Sequence, residues 1–538
     1  MTCIMPAGPT RARRQRAPDQ FTDMETRTDD VITTDRPTLT TCTLEDTDAA
    51  ALVVGVGTGA DGAVLLANPL PPEAAERLQS LFEALGVSGK ADEVVRVPGL
   101  AGSPVELVVL TGVGSVKDAE PTEEALRRAA GAAVRSLAGT EKVALGLPAN
   151  TPERLAAVAE GAGMGAYAFT AHKSTQDAEA ARRSAPVSAL SFVTEAADAE
   201  AVLERAGHVA DAVCATRDLI NTPPSHLYPE TFAEVVREDL AGSDVSVKVW
   251  DDKQLLAEGF GGIMGVGQGS SRLPRLVRIE HAPADAVAHI AIVGKGITFD
   301  TGGISLKPPA SMTTMKSDMG GAATVFAVVR AAARLGLKVK VTGWLAIAEN
   351  MPSDTAIRPS DVLTMYGGKT VEVMNTDAEG RLVMADAIVK ATEETPDVVM
   401  DIATLTGAQM IALGTRTTGI MGDDEIRDEL VAAADRVGET AWGMPIPENL
   451  RASLDSRVAD ISNVGDRFGG MMSAAAFLRD FVDASRAEAE RAESPTPWAH
   501  LDIAGPSFNE SAPYGYTPKD ATGTMVRTLI GFIAGRAG

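Results

Sequence analysis

Four acidic residues, Asp300, Asp318, Asp377 and Glu379, stand in three short segments that are otherwise built largely of glycine, lysine and other small residues. The first segment, Gly294-Lys-Gly-Ile-Thr-Phe-Asp-Thr-Gly-Gly-Ile-Ser-Leu-Lys307, follows the apolar run 289–293 and places Lys295, Asp300 and Lys307 in a turn where glycines let the backbone approach a ligand closely. The second, Met315-Lys-Ser-Asp318, puts Asp318 just before a helix that opens on Met319-Gly-Gly-Ala-Ala323. The third, Asn375-Thr-Asp-Ala-Glu-Gly-Arg-Leu382, opens another helix, apolar at Leu382, Ala385, Ile388 and Val389. Asp377 and Glu379 lie at its start, where the helix dipole favours negative charge. Taken singly, each carboxylate reads as a helix cap or first-turn acid about two times in three. Gathered in one place, four carboxylates would repel and raise each other's pKa unless cations neutralised them. Such an oxygen-rich donor set suits Mn²⁺, Mg²⁺ or Zn²⁺.

The elements that must position these residues are legible as pattern. From residue 50, short apolar runs (51–56, 105–110, 142–147, 189–193) alternate with amphipathic stretches such as 72–85 and 122–137. This alternation predicts a mostly parallel sheet with helices on its faces. A long helical pattern over 198–220 is stopped by Asn221-Thr-Pro-Pro224, because proline cannot continue a helix. Beyond it, candidate strands at 245–249, 276–280, 289–293, 339–347, 398–404 and 499–503 form a second unit. In open parallel sheets ligands bind at the carboxyl ends of strands, which is where the three acidic segments fall. The expected organisation is a disordered tail over 1–45, an N-terminal α/β domain over 46–195, a connecting helix over 196–224 and a second α/β domain over 225–538. The tail is polar and aperiodic, as expected of disorder or of a start preceding a true beginning near Met24.

Composition narrows the class of activity. Lys and Arg number 49 against 73 Asp and Glu, a formal charge of −24, which argues against a chain-wide fit to nucleic acid or anionic lipid. Three cysteines, Cys3, Cys42 and Cys214, are too scattered for a disulfide framework or a Cys-based zinc site. There is no secretory signal pattern and no run of 18 apolar residues, so a soluble cytoplasmic protein with no membrane partner is expected. Six histidines show no His-Glu-x-x-His spacing and read as scattered surface or core residues; no Gly-x-Ser-x-Gly elbow and no phosphate-binding P-loop is present. Gly57-Thr-Gly-Ala-Asp-Gly62 reads as a strand-ending turn in preference to a dinucleotide loop.

The three segments, in this order and spacing, resemble the signature and metal-site motifs of the leucyl (cytosol) aminopeptidases. The similarity extends to Asn221-Thr-Pro-Pro224 and to Asp401-Ile-Ala-Thr-Leu-Thr-Gly407, and covers about residues 215 to 538. The resemblance implies a two-metal peptidase with the C-terminal domain catalytic. Asp300 and Glu379 would bridge the ions, Lys295 and Asp318 would complete one site, and Asp377 the other. Lys307 and Arg381 would be the non-ligand catalytic residues, Arg381 holding a bicarbonate that shuttles protons. Lys295 as a ligand requires a depressed pKa. Metals about 3.5–4 Å apart would share an activated water, and Lys307 would stabilise the oxyanion. Thr404, Leu405 and Gly407 would hold the substrate backbone, and Met315 would line a pocket for a Leu-like side chain. By the same resemblance the substrates are peptides with a free N-terminus, the ions Mn²⁺ or Zn²⁺, and the assembly a homohexamer. Two other classes stay open from the residues themselves. One is a two-metal phosphohydrolase, with the lysines clamping phosphate; the other is an additional nucleic-acid-binding role for the N-terminal domain, against which the acidic balance argues.

Overall fold

The computed structural model describes residues 31–32, 36–117, 120–174, 177–484 and 494–537. Two sheets organise it. The first contains β1 (Thr38–Cys42), β2 (Ala51–Gly59), β3 (Gly62–Leu65), β4 (Val94–Pro98), β5 (Leu107–Ser115), β6 (Lys142–Leu145) and β7 (Ala189–Val193). Its order is β1-β7-β6-β2-β5-β4, with β3 folded back on β2 as a hairpin through Gly59–Gly62. All pairs are parallel except β3 with β2 and β4 with β5. The glycine-rich Gly57–Gly62 segment is therefore a hairpin end. Helices Glu123–Ser136 and Pro152–Gly165 cover one face; Thr122 and Thr151 cap them by accepting from Ala125 N and Arg154 N, as N-cap hydroxyls do.

The tail expected over 1–45 needs correction at its C-terminal end. Residues 1–30 and 33–35 lie outside the described residues, but Thr38–Cys42 is a strand, paired in parallel with β7 over its whole length. The segment lacks a hydrophobic run, yet three of its five residues are threonine, a β-branched residue at home on a pleated surface, and Leu39 packs on the domain core. Arg36 next to it donates to Asp211 Oδ1 and Asp218 Oδ2, both at 2.8 Å, tying the strand to the connecting helix Ala199–Asn221.

The second sheet contains β8 (Val245–Trp250), β9 (Arg275–His281), β10 (His289–Asp300), β11 (Lys340–Asn350), β14 (Val398–Ala403), β15 (Thr418–Gly422), β16 (Ala441–Gly443) and β18 (Trp498–Asp502); the short β12 (Val362–Thr364), β13 (Thr370–Glu372) and β17 (Ile461–Ser462) form a side sheet. The order is β16-β15-β18-β14-β10-β11-β9-β8, with β18, β14, β10 and β11 parallel at the centre. Central parallel strands are buried on both faces, which explains their largely apolar runs. Ile290 and Ile292 of β10 face one core, with helix Gly320–Arg334; Ala291, Val293 and Ile297 face the other, with helix Gly380–Thr392. The first of those helices sits close to the sheet because its opening residues are small. A Cβ on Gly321 would stand 2.8 Å from Lys295 N, and one on Gly294 2.6 Å from Ala322 Cα.

Candidate metal centre

β10 and β11 end side by side at Asp300 and Asn350. Immediately after β10, Gly302 and Gly303 adopt positive φ (85° and 63°), a conformation that side chains resist, and Gly302 N donates to Asp300 Oδ1 at 2.8 Å. Asn350 Nδ2 donates to the same oxygen at 2.8 Å and to Thr376 O at 3.1 Å. The second acidic segment forms a 3₁₀ turn, Met315–Met319, that leads into helix Gly320–Arg334 and buries Asp318. The third carries Glu379 as the residue before helix Gly380–Thr392 and runs on into that helix.

These three elements bring Lys295, Asp300, Lys307, Asp318, Asp377 and Glu379 together. Oxygens of Asp300, Asp377 and Glu379 lie within 4.8 Å of one another. Lys295 Nζ lies 2.8 Å from Asp318 Oδ2, 2.9 Å from Glu379 Oε1 and 3.1 Å from Thr404 O. Lys307 Nζ lies 2.7 Å from Asp300 Oδ2 and also pairs with Asp377. Thr404 Oγ1 donates to Asp318 Oδ1 at 2.7 Å. Gly380 makes room for this packing, since a Cβ there would meet Lys295 Nζ at 2.6 Å.

Four carboxylates against two ammonium groups leave two uncompensated negative charges in a nearly dry site. The titration behaviour reflects this. Burial pushes Asp318 up to about 8, with Asp300 and Glu379 adding to it against the pull of Lys295. Burial likewise raises Asp300 to about 6, with Glu379 reinforcing it. Burial also works to raise Glu379, but Lys295 and Lys307 together hold it below its ordinary value. For Lys295 burial favours the neutral form, yet Asp318, Glu379 and Asp300 outweigh it and hold the ammonium above its usual range. A metal ion bound at Lys295 would have to displace that proton against the pull of the three carboxylates. Glu379 Oε2, buried, makes no hydrogen bond among the described residues. An orphan carboxylate oxygen beside two other carboxylates, in a site short of positive charge, fits a divalent cation. With Lys295 neutral and Lys307 charged, the four carboxylates leave three negative charges for such ions to offset.

The remaining expected residues are distributed less tightly. Arg381, buried in the first turn of its helix, donates through Nη1 to Asn463 O at 2.8 Å and leaves Nε without a partner among the described residues. Burial lowers its pKa to about 10. Leu405 and Gly407 follow Thr404 after β14, with Gly407 opening helix Gly407–Leu413, while Met315 is half-buried at the start of the 3₁₀ turn. No hydrogen bond or ion pair among the described residues joins the Met315, Leu405 or Gly407 side of the site to the carboxylates. Sequence reasoning missed three supporting residues. Asn350 and Thr376 brace the Asp300 turn, while Asn463 bonds the backbone of Met374 and Asn375 through its side chain and accepts from the Arg381 guanidinium through its own carbonyl. Asn350 ends an apolar run at a strand's carboxyl end, a signal that was present. Nothing local marks Asn463, which is brought in by a loop nearly 90 residues away.

Comparison with known proteins agrees with this geometry. The sequence model of the cytosol aminopeptidase family, catalytic domain, matches residues 214–530, and that of the family's N-terminal domain matches residues 53–176. The chain is 72% identical over 510 residues to a protein named "Probable cytosol aminopeptidase" from Micrococcus luteus, covering 94% of this chain and 100% of that one. A protein of the same name from Streptomyces griseus is 49% identical, covering 92% and 97%. Among solved structures, a bottromycin maturation enzyme in complex with Mn superposes with a TM-score of 0.78 at 35% identity, covering 91% and 100%. A tomato leucine aminopeptidase variant gives 0.78 at 27% identity, covering 93% and 97%.

Proposed function

The chain belongs to the cytosol aminopeptidase family, and from that premise we propose that it removes unblocked N-terminal residues, Leu-like ones preferentially, from peptides in the cytoplasm with two divalent ions, Mn²⁺ or Zn²⁺, per subunit. The observation that carries this reading is the meeting of Asp300, Asp377 and Glu379 within 4.8 Å beside the Lys295–Asp318 pair. Asp300 and Glu379 would bridge the ions, Lys295 and Asp318 would complete one site and Asp377 the other. Bound there, the ions supply Lewis acidity, a water of lowered pKa and a place for the substrate's free amine.

The chain's own residues do the rest. Lys307, paired with Asp300 and Asp377 yet retaining some exposure, would donate from its ammonium to the oxyanion of the tetrahedral intermediate. Arg381 presents a buried guanidinium whose free Nε–H suits a small planar anion such as bicarbonate, which can accept and return a proton. Thr404, Leu405 and Gly407 offer backbone groups to the peptide, and Met315 supplies apolar contact for its first side chain. Assembly as a homohexamer is part of the same proposal. Trp442 and Phe468, 61% and 84% exposed, are the kind of apolar surface that subunit contacts would cover.

The test is hydrolysis of leucine p-nitroanilide, its N-acetylated form and p-nitrophenyl phosphate with added Mn²⁺. Cleavage of the first alone supports the proposal. Hydrolysis of the acetylated substrate would remove the amine requirement, and turnover of the phosphate ester alone would favour phosphohydrolase chemistry.

A further inference from the structure

Beneath the loop that follows β14 lies a buried row of charged side chains that the catalytic scheme does not use. β14 and β18 run parallel with Asp401 opposite His500 and Ala403 opposite Asp502. Paired residues share a face, as do residues two apart on one strand, so Asp401, His500 and Asp502 lie together. All three are fully buried. His500 Nδ1 is 2.5 Å from Asp401 Oδ1, and Trp498 Nε1 donates to Asp401 Oδ2 at 2.7 Å, so the carboxylate is gripped from both sides. Asp502 Oδ1 accepts from Leu405 N and Ala504 N, each at 3.2 Å, and Oδ2 accepts from Thr406 Oγ1 at 2.8 Å. The charged groups acting on His500 are Asp401 on β14, Asp502 on β18 and Arg381 on helix Gly380–Thr392. Asp401, His500 and Asp502 carry one net negative charge if the imidazole is charged, and the Arg381 guanidinium, which belongs to the site above, acts on them from the neighbouring helix.

We propose that Asp502 is a positioning residue that fixes the Thr404–Gly407 loop for substrate binding, and that the Asp401–His500 pair holds Asp502 ionised in the interior. The inference rests on the aminopeptidase reading for its effect on turnover, but its structural half stands apart from that reading. An ionised carboxylate accepts from three donors at once, whereas a protonated one would turn one of its oxygens into a donor facing Leu405 N, Ala504 N or Thr406 Oγ1. A buried carboxylate stays ionised only with compensating charge. Burial raises Asp502 above its usual value and His500 pulls it back down. For His500, burial opposes the charged form, and Asp401 with Asp502 more than restores it. The loop so held presents Thr404 Oγ1 to Asp318 and Thr404 O to Lys295, so its placement also reaches the metal centre.

The test uses the full chain with saturating Mn²⁺ and leucine p-nitroanilide. Asp502→Asn and His500→Gln should each raise KM about tenfold while kcat changes less than threefold. Combined, they should do no more than the Asp502→Asn change alone, because they act through one path. Amide exchange at Leu405 should accelerate in both variants, a readout that needs no catalysis. Should a buried substitution fail to fold, Thr406→Val removes a single partner of Asp502 and should show the same KM rise. A lowered melting temperature with unchanged KM and unchanged Leu405 exchange would overturn the proposal and leave the row a packing feature. Additive effects would sever His500 from Asp502. Absence of turnover in the unaltered protein would count against the aminopeptidase reading alone, with the exchange measurement still deciding the positioning role.

Discussion

At the scale of single residues, the site asks each side chain for a different property, and substitutions should separate them. Asp377 is half-buried, so Asp377→Asn should leave the fold intact while lowering bound metal and removing nearly all turnover, checked by elemental analysis beside the peptidase assay. In the proposed mechanism Lys307 carries charge to the reacting atoms. Lys307→Met should therefore cost roughly 10²–10³ in kcat with metal content undiminished, because losing an ammonium leaves Asp300 and Asp377 freer to bind cations. The carboxylates were legible in the sequence because they sit in compact motifs whose glycines advertise close backbone approach. Asn463 was not, because it works from a distant loop, satisfying backbone groups of Met374 and Asn375 and accepting from the Arg381 guanidinium. His500 read as one of several scattered histidines; its partner Asp401 is ninety-nine positions earlier, and only strand register joins them.

At the scale of elements, helix Gly380–Thr392 carries Glu379 and Arg381 into place and is pinned by Asp386. That carboxylate, fully buried, accepts from Ile263 N at 2.9 Å and Tyr366 N at 2.8 Å, and burial raises its pKa to about 7. The unfolded value is about 3.9. The folded state therefore binds the proton more tightly, so this group's stabilising contribution is complete below about pH 4 and is lost as pH rises through about 7. Asp386→Asn should flatten the stability profile across that window, as followed by denaturant unfolding at successive pH values. β10, β11 and β14 at the centre of the second sheet were readable as largely apolar runs because both of their faces are buried. β1 and β4 were not, since edge strands need only one covered flank and carry polar residues; Thr38–Cys42 looked like tail for that reason.

At the scale of the whole molecule, charge and folding are coupled at the centre of the second sheet. Ions that bind only the folded chain stabilise it in proportion to the logarithm of their concentration, by about 2.7 kcal/mol at a hundredfold excess over Kd. Chelation should accordingly lower the melting temperature and Mn²⁺ should restore it in a concentration-dependent way, measured by calorimetry. The two-unit layout could be read from the Pro-Pro stop after the long helix, but the joint between units could not. It depends on Arg217, whose guanidinium donates to the carbonyls of Met164, Tyr516 and Thr522, residues from opposite ends of the chain. The short strand that Arg36 ties down has a consequence for how this protein tolerates trimming. With Thr38–Cys42 in place, β7 has hydrogen-bonding neighbours on both flanks; cut the chain at residue 46 and a row of backbone amides and carbonyls is laid bare. Such a margin recruits strands from other molecules, so the shortened protein should scatter light as growing particles where the longer one stays monodisperse.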